Sequence, residues 1–389
     1  MTTTPALTDL ERHDLAAIRA RMTDWLKGPA FDLWFEADRD LECGGYYETL
    51  SLTGSPVFDN KRVRVTARQV YCFAQAQRLG WTGDWREAVD HGWRFLLTTG
   101  LRDDHTLRHI VTRDGHVVND GPDLYDQAFI LLALAETFRA TGDETYRDFA
   151  RGGLDWLRAN FGHPDGGFYD ALDQRDILRS NPHMHMFECA LAWISVDPDG
   201  PWFALAEEIA GLCRKRFVRA SDGALLETFD ANWNPALDES AVIEPGHQFE
   251  WAWLLMKWEE AGGADCSGIY RRFYDIGDRH GVCPTRRVAI DALKMSLEWA
   301  GPQARLWPQT ERLKSSLALA SRTSGDERAR YVANATEAAA ALWQYFEGLR
   351  PGLWRDKMKG DGSFVEEPAP ASTFYHIVCA ISELQAFEI

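Results

Sequence analysis

The sequence of 389 residues predicts an all-α fold, an (α/α)6 barrel of six helix pairs with short β-hairpins at one rim. Two observations predict it. Short glycine-bounded, β-like segments begin at Gly44, Leu107, Gly166, Gly223, Gly281 and Gly352, a spacing of roughly sixty residues that marks one supersecondary unit used six times. Between them, helical stretches alternate in character. Tyr146, Phe149, Leu154, Leu157 and Phe161 recur at helical spacing among Arg and Asp, which describes a one-faced helix, whereas residues 124–135 are apolar nearly all round. One-faced helices cover a core and helices apolar on every side lie within it, so the alternation implies two concentric rings.

Taken in order, outer helices are expected near 7–28, 83–98, 144–161, 201–217, 265–280 and 327–349. Inner helices are expected near 59–79, 122–141, 183–196, 246–262, 307–323 and 371–387. The segment 281–306 is divided, because Arg286-Arg-Val-Ala-Ile290 favours a strand while Asp291-Ala-Leu-Lys-Met-Ser-Leu-Glu298 suits a helix; we read it as a long hairpin. The whole of 1–389 is read as one catalytic domain.

Composition narrows the function. A hydrophobic fraction of 45% fills a large core, while a net charge of −17 and a pI near 5.1 argue against nucleic-acid or anionic-membrane partners, which need a basic face. A small-molecule substrate is left, and a homo-oligomer is compatible with the sequence. Seven scattered cysteines without a C-x-x-C pair read as reduced thiols. Met1-Thr-Thr-Thr-Pro5 has no apolar signal core, and no apolar run is long enough to span a bilayer, so a cytoplasmic location is expected.

The chemistry concentrates where inner helices begin. In Glu244-Pro-Gly-His-Gln-Phe-Glu-Trp251, the turn at Pro245 and Gly246 leaves His247 and Glu250 one helical turn apart, where a carboxylate can hold an imidazole as a general base. His185 and Glu188 repeat that spacing in Asn181-Pro-His-Met-His-Met-Phe-Glu188. Arg68, Tyr125, Asn181, Trp307, Glu311 and His376 occupy the corresponding loops, and loops on a rigid scaffold can converge on one cleft. His183, two residues from His185, faces another way. Trp251 and Trp307 are singled out from sixteen tryptophans as stacking candidates. Lys61, Arg62 and Arg64 lack a glycine-rich cradle and are read as a solvated face rather than a phosphate site.

Five motifs in order resemble the N-acylglucosamine 2-epimerase superfamily, and within it the mannose isomerase branch: Val65-Thr-Ala-Arg-Gln69, Asn181-Pro-His-Met-His-Met186, Glu244-Pro-Gly-His-Gln-Phe-Glu-Trp251, Leu306-Trp-Pro-Gln-Thr-Glu311 and Ser372-Thr-Phe-Tyr-His-Ile377. The resemblance implies the same barrel, no metal and no other cofactor, and His247 with His376 as the pair that moves the C2 proton of an open-chain aldose. It implies Arg68 on the C1 and C2 oxygens, with Asn181, His185, Glu250 and Tyr125 around the sugar; Glu188, Trp251, Trp307 and Glu311 complete the expected substrate site. The superfamily's sulfosugar isomerases carry an Arg ahead of the motif histidine, and residues 233–243 here contain no basic residue, so a sulfonated substrate is not expected.

The expected function is interconversion of D-mannose and D-fructose, with D-lyxose and D-xylulose as smaller substrates, through a cis-enediolate. Epimerisation of mannose to glucose by the same histidines is the alternative, because the residue inventory does not fix where the proton returns. A glycoside hydrolase or lyase using Glu188, Glu250 or Asp126 would leave the histidines without a role. A metal site of His183, His185, Glu188, His247 and Glu250 would place Arg68 beside the cation. A noncatalytic sugar-binding protein would need no acid/base pair.

Overall fold

The computed structural model describes residues 3–236 and 241–389. Among the described residues, the inner ring consists of Val63–Ala76, Leu124–Thr141, Ser180–Ile194, Pro245–Glu260, Trp307–Ser321 and Ala371–Ala386. Each packs on the next, and the last returns to Val63–Ala76 to close the ring. Trp85–Phe95, Glu144–Phe161, Trp202–Leu212, Ser267–Gly281 and Gly325–Trp343 each cover the inner helix beside them in sequence, while Leu15–Trp25 covers Ala371–Ala386 and so joins the two chain ends. The expected two-ring (α/α)6 barrel is the observed fold. Among the described residues, no helix is long and apolar enough to cross a membrane.

The helices start and stop for local reasons. Asp14, Asp84, Asp123 and Asp143 each cap a helix by accepting a first-turn N–H. Gly142, at φ 72°, ends Leu124–Thr141 in the left-handed conformation that costs glycine least. The first outer helix departs from the expected 7–28. It begins at Leu15 and continues past 28 through a π turn, Leu26–Ala30, into Phe31–Ala37. Pro29 lies in that turn and has no N–H to donate, so the wider π turn carries the helix past a residue that would break a regular one. Buried aromatic stacking ties the rings together: Trp34 lies 5.6 Å from Phe374 and Trp193 lies 4.9 Å from Trp202, centroid to centroid.

Past Gly281, where an outer helix ends, residues 282–306 contain no helix, but they are not one long hairpin. Val282 bridges Ala289 in a short hairpin, Leu293–Lys294 pairs with Val242–Ile243, and Ala304–Arg305 pairs with Lys357–Met358. Arg287 and Leu297 at positive φ turn the chain twice inside the segment, which breaks the single hairpin into pieces.

The six hairpins share a register that positions the site. Each turns at a residue with positive φ: Gly44, His105, Gly166, Gly223, Arg287 or Gly352. Four positions further on stand Glu48, His109, Asp170, Glu227, Asp291 and Asp356. Each reaches residues at or just ahead of the next inner helix. Glu48 accepts from the Arg62 N–H, His109 meets Asp126, Asp170 accepts from the Arg179 N–H, Glu227 meets His247, Asp291 accepts from the Arg305 N–H and Asp356 accepts from Thr373. A second set of ties fixes the helices' rotation. Gln127, Gln248 and Gln309 each accept from one backbone N–H in the preceding hairpin and donate to the carbonyl of the same residue, Leu107, Leu225 or Ala289. His183 does the equivalent job by accepting from the Phe168 N–H at 3.0 Å. With those four pegs aligned, the residues two positions on are Phe129, His185, Glu250 and Glu311, and those one turn deeper are Leu132, Glu188, Trp253 and Lys314.

Candidate active site

A cavity of about 640 Å³ opens at the hairpin rim, a size suited to a small ligand. Arg68, Tyr125, Asn181, His185, His247, Glu250, Trp307 and His376 line it, so eight of the expected residues converge there. Glu188 and Glu311 lie beneath that layer. His185 Nδ1 is 3.2 Å from Glu188, and His376 Nδ1 is 3.0 Å from Glu311. Trp251 is a correction: it is fully buried and packs on Phe187 and Phe217, because the helix turns it outward into the aromatic core. His183 likewise serves the fold.

His247 has a different partner from the one its helix spacing implies. Its Nδ1 lies 2.9 Å from Glu227 of the preceding hairpin. Glu250, one turn along, leaves Oε1 without a protein partner among the described residues. Sequence reasoning missed Glu227, although an acid recurs four residues past the turn in five of the six hairpins and marks its position. It also missed Tyr375, whose hydroxyl donates to Glu188, and Lys314.

The two histidines have opposed electrostatics. Burial disfavours a charged His247, yet the carboxylates of Glu227, Glu244 and Glu250 outweigh it and push its pKa up to about 10. His376 is pushed well below the usual imidazole range by burial and by the positive charges of Arg68 and Lys314. Trp307 neighbours both, its ring 5.1 Å from His247 and 5.7 Å from His376. Gly246 makes this approach possible, since a Cβ there would sit 2.3 Å from the Trp307 ring. Burial and repulsion from Glu311 drive the pKa of the Glu250 carboxyl well up.

Arg68 donates Nη1 to the Ser372 carbonyl at 2.9 Å and Nη2 to Tyr125, with its guanidinium 3.9 Å from the Phe129 ring centroid. Arg68 Nε, Asn181 Oδ1 and Glu250 Oε1 are buried and unpaired within the described protein. Buried polar atoms are nearly always satisfied, so this grouping fits a ligand rich in hydroxyl and carbonyl oxygens. Lys61, Arg62 and Arg64 are not the solvated face expected of them. Lys61 is buried against Asp40 at 2.8 Å, and Arg62 and Arg64 line the cavity mouth, because the short strand Lys61–Arg62 runs inward to the helix. Of residues 233–243, those numbered 237–240 lie outside the described residues.

His185, Glu188 and Glu250, and likewise Glu250, Glu311 and His376, bring possible metal-binding atoms within 4.8 Å of one another. The ammonium of Lys314, 2.7 Å from Glu311, already supplies positive charge there, which makes the cluster a poor fit for a divalent ion.

His247 and His376, each held by a carboxylate, and Arg68 meet in the rim cavity of a six-pair helical barrel, the acid/base equipment of a sugar isomerase or epimerase. The chain belongs to the N-acylglucosamine 2-epimerase family, whose model matches residues 45–380. It is 45% identical over 385 residues to the mannose-6-phosphate isomerase of Rhizobium meliloti (strain 1021), covering 96% of this chain and 98% of that one. Its fold is similar to a D-mannose isomerase structure, with TM-score 0.88 and 17% identity over 98% of this chain and 100% of that one. It is also similar to cellobiose 2-epimerase from Bacillus thermoamylovorans B4167, with TM-score 0.85 and 17% identity over 95% and 100% of the two chains.

Proposed function

We propose that this protein is a metal-free aldose–ketose isomerase that interconverts D-mannose and D-fructose, with D-lyxose and D-xylulose as smaller substrates. The observation that carries the proton-transfer chemistry is the pair of histidines with opposed protonation preferences in one cavity, and the 45% identity to a mannose-6-phosphate isomerase favours the ketose outcome. Neutral His376 donates Nδ1–H to Glu311, which leaves Nε2 as a base, and charged His247 is an acid held by Glu227. The C2 proton passes to His376, the C–H electron pair forms the C1=C2 bond, and the carbonyl pair moves onto O1. Arg68 stabilises that developing charge while His247 protonates O1. Loss of the O2 proton to His247 and return of the His376 proton to C1 complete the ketose. Each proton-transfer group is expected to contribute about 10²–10⁴-fold.

The arrangement disfavours glycoside hydrolysis. Glu188 accepts from His185 and Tyr375, Glu311 from His376, and Asp126 from Arg64 and His109, so of the carboxyls at the histidine layer Glu250 alone lacks a side-chain partner among the described residues. A second substrate reading, a hexose 6-phosphate, has one structural feature in its favour besides the Rhizobium relative's name: Arg62, Arg64, Arg305 and Lys357 line the mouth. All four are paired with carboxylates, namely Glu48, Asp126, Glu244 and Glu367, so a phosphate would have to displace existing partners. Incubation with mannose, lyxose and mannose 6-phosphate, followed by NMR, tests both readings. Fructose from mannose at the higher kcat/KM supports the unphosphorylated substrate, a clear preference for mannose 6-phosphate replaces it, and no ketose from any of the three rejects the isomerase.

A further inference from the structure

Lys314 is an anomaly of the barrel axis. Its ammonium is fully buried, 2.7 Å from Glu311 Oε2 and 3.9 Å from the Trp253 ring centroid. Leucine stands at the equivalent position of the helix Leu124–Thr141, and a buried ammonium carries a large desolvation cost unless opposite charge compensates it. The compensation is specific. Glu311 is bridged, one oxygen to Lys314 and the other to His376 Nδ1 at 3.0 Å, with Thr310 donating to that second oxygen at 3.1 Å. The Lys314–Glu311 contact is an ion pair without hydrogen-bond alignment, so it fixes charge more than direction. The ammonium also feels Glu250 from the neighbouring helix, Glu188 from across the barrel axis and Cys379 from the helix that carries His376.

We infer that Lys314 is a positioning residue. It keeps Glu311 an anionic acceptor, so that His376 stays neutral with its proton on Nδ1 and its Nε2 lone pair facing substrate. It also provides, from the protein itself, the positive charge that this carboxylate cluster would otherwise draw from a divalent ion. The inference rests on the reading of His376 as the base, and it assigns the third member of a Lys314–Glu311–His376 relay in which only the histidine touches substrate. Without Lys314, three buried carboxyls share the axis with no ammonium beside Glu311, and the hold of Glu311 on the imidazole tautomer is lost.

The test is Lys314→Met, with Lys314→Arg as the charge-conserving control. In a variant shown to be folded by near-UV circular dichroism, Lys314→Met is expected to lower kcat by about 10²-fold, the scale of a misplaced catalytic group. KM is expected to stay within about threefold, and the primary isotope effect on C2-deuterated mannose to rise as proton transfer becomes limiting. Lys314→Arg should recover at least about a tenth of the parental kcat. A folded Lys314→Met enzyme with kcat within about threefold of the parent overturns the inference. The second measurement needs no variant and no turnover: spectra of ¹⁵N-histidine-labelled parent protein must show His376 neutral with the proton on Nδ1. The Nε2–H tautomer or an imidazolium at neutral pH overturns the relay even if Lys314→Met does not fold. Should the parent protein turn over none of the sugars, the proposed function fails while the tautomer measurement still judges the relay.

Discussion

Glu227 holds His247: the carboxylate Oε2 lies 2.9 Å from the ring Nδ1, across a gap of twenty residues that joins a rim hairpin to an inner helix. This pairing, with Glu244 and Glu250 nearby, keeps a buried imidazole charged. Glu227→Gln should therefore lower the His247 pKa and bring the alkaline limb of the kcat profile down from about 10 toward neutrality. A folded-state pKa above the unfolded value of about 6.5 stabilises the native protein fully below that value, and the contribution is lost as pH rises toward about 10. Thermal melts of parent and variant should accordingly differ most below pH about 6.5 and converge by about 10. Identical melts and pH–rate profiles would remove Glu227 from its assigned role.

The histidines separate by function. His247→Ala and His376→Ala are each expected to reduce kcat by about 10²-fold or more. His183 occupies the place held by Gln127, Gln248 and Gln309 in other repeats, its Nδ1 2.8 Å from the Arg179 carbonyl and its Nε2 accepting from Phe168. His183→Gln should keep near-parental kcat, whereas His183→Ala should cost stability of about 1–3 kcal/mol by leaving buried backbone groups unpaired. Stopped kinetics with unchanged melting in His183→Ala would contradict the assignment.

How much of this was legible in the sequence follows from how far each interaction reaches. The helix pairs were readable because period and amphipathicity are local, and the bounds of Glu144–Phe161 agree with expectation to the residue. The pocket was readable because its members fall at the starts of inner helices. Partner choice was not. Helical spacing paired His247 with Glu250, but the hairpin brings Glu227 closer, and Trp251 faces away from the cavity because the peg at Gln248 sets that helix's rotation. Lys314 was invisible for a related reason: it stands in an expected inner helix, but packing around the axis, and not any motif, buries its charge against a compensating carboxylate.

Gly246 marks a steric dependence of catalysis on Trp307. Gly246→Ala would push a methyl group into the indole that neighbours both histidines. kcat/KM is expected to fall by about tenfold or more while the fold persists, since the displaced ring lines the cavity rather than the core. Parental kinetics in the alanine variant would show that Trp307 is not needed in its place.

Exhaustive EDTA treatment should leave turnover unchanged. The expectation comes from the donor set, in which Lys314 and Arg68 already supply positive charge beside the buried carboxylates. Activity lost on chelation and restored by one divalent ion would replace the two-histidine mechanism with a metal-assisted one.

The remaining choice, isomerase or 2-epimerase, turns on where the enediolate is reprotonated. Both outcomes need one neutral and one charged histidine, so the opposed protonation of His376 and His247 serves either. In D2O, an isomerase returns deuterium to C1 of fructose to the extent that His376 exchanges with solvent before transfer. His376 lines a cavity open at the rim, so exchange competes with transfer and partial labelling is expected. An epimerase delivers the proton to C2 from the opposite face, and its early product is glucose labelled at C2. Fructose carrying deuterium at C1 from the first minutes, with glucose absent, is the expected NMR result. Early C2-labelled glucose, with fructose late or missing, would give the two histidines to an epimerase.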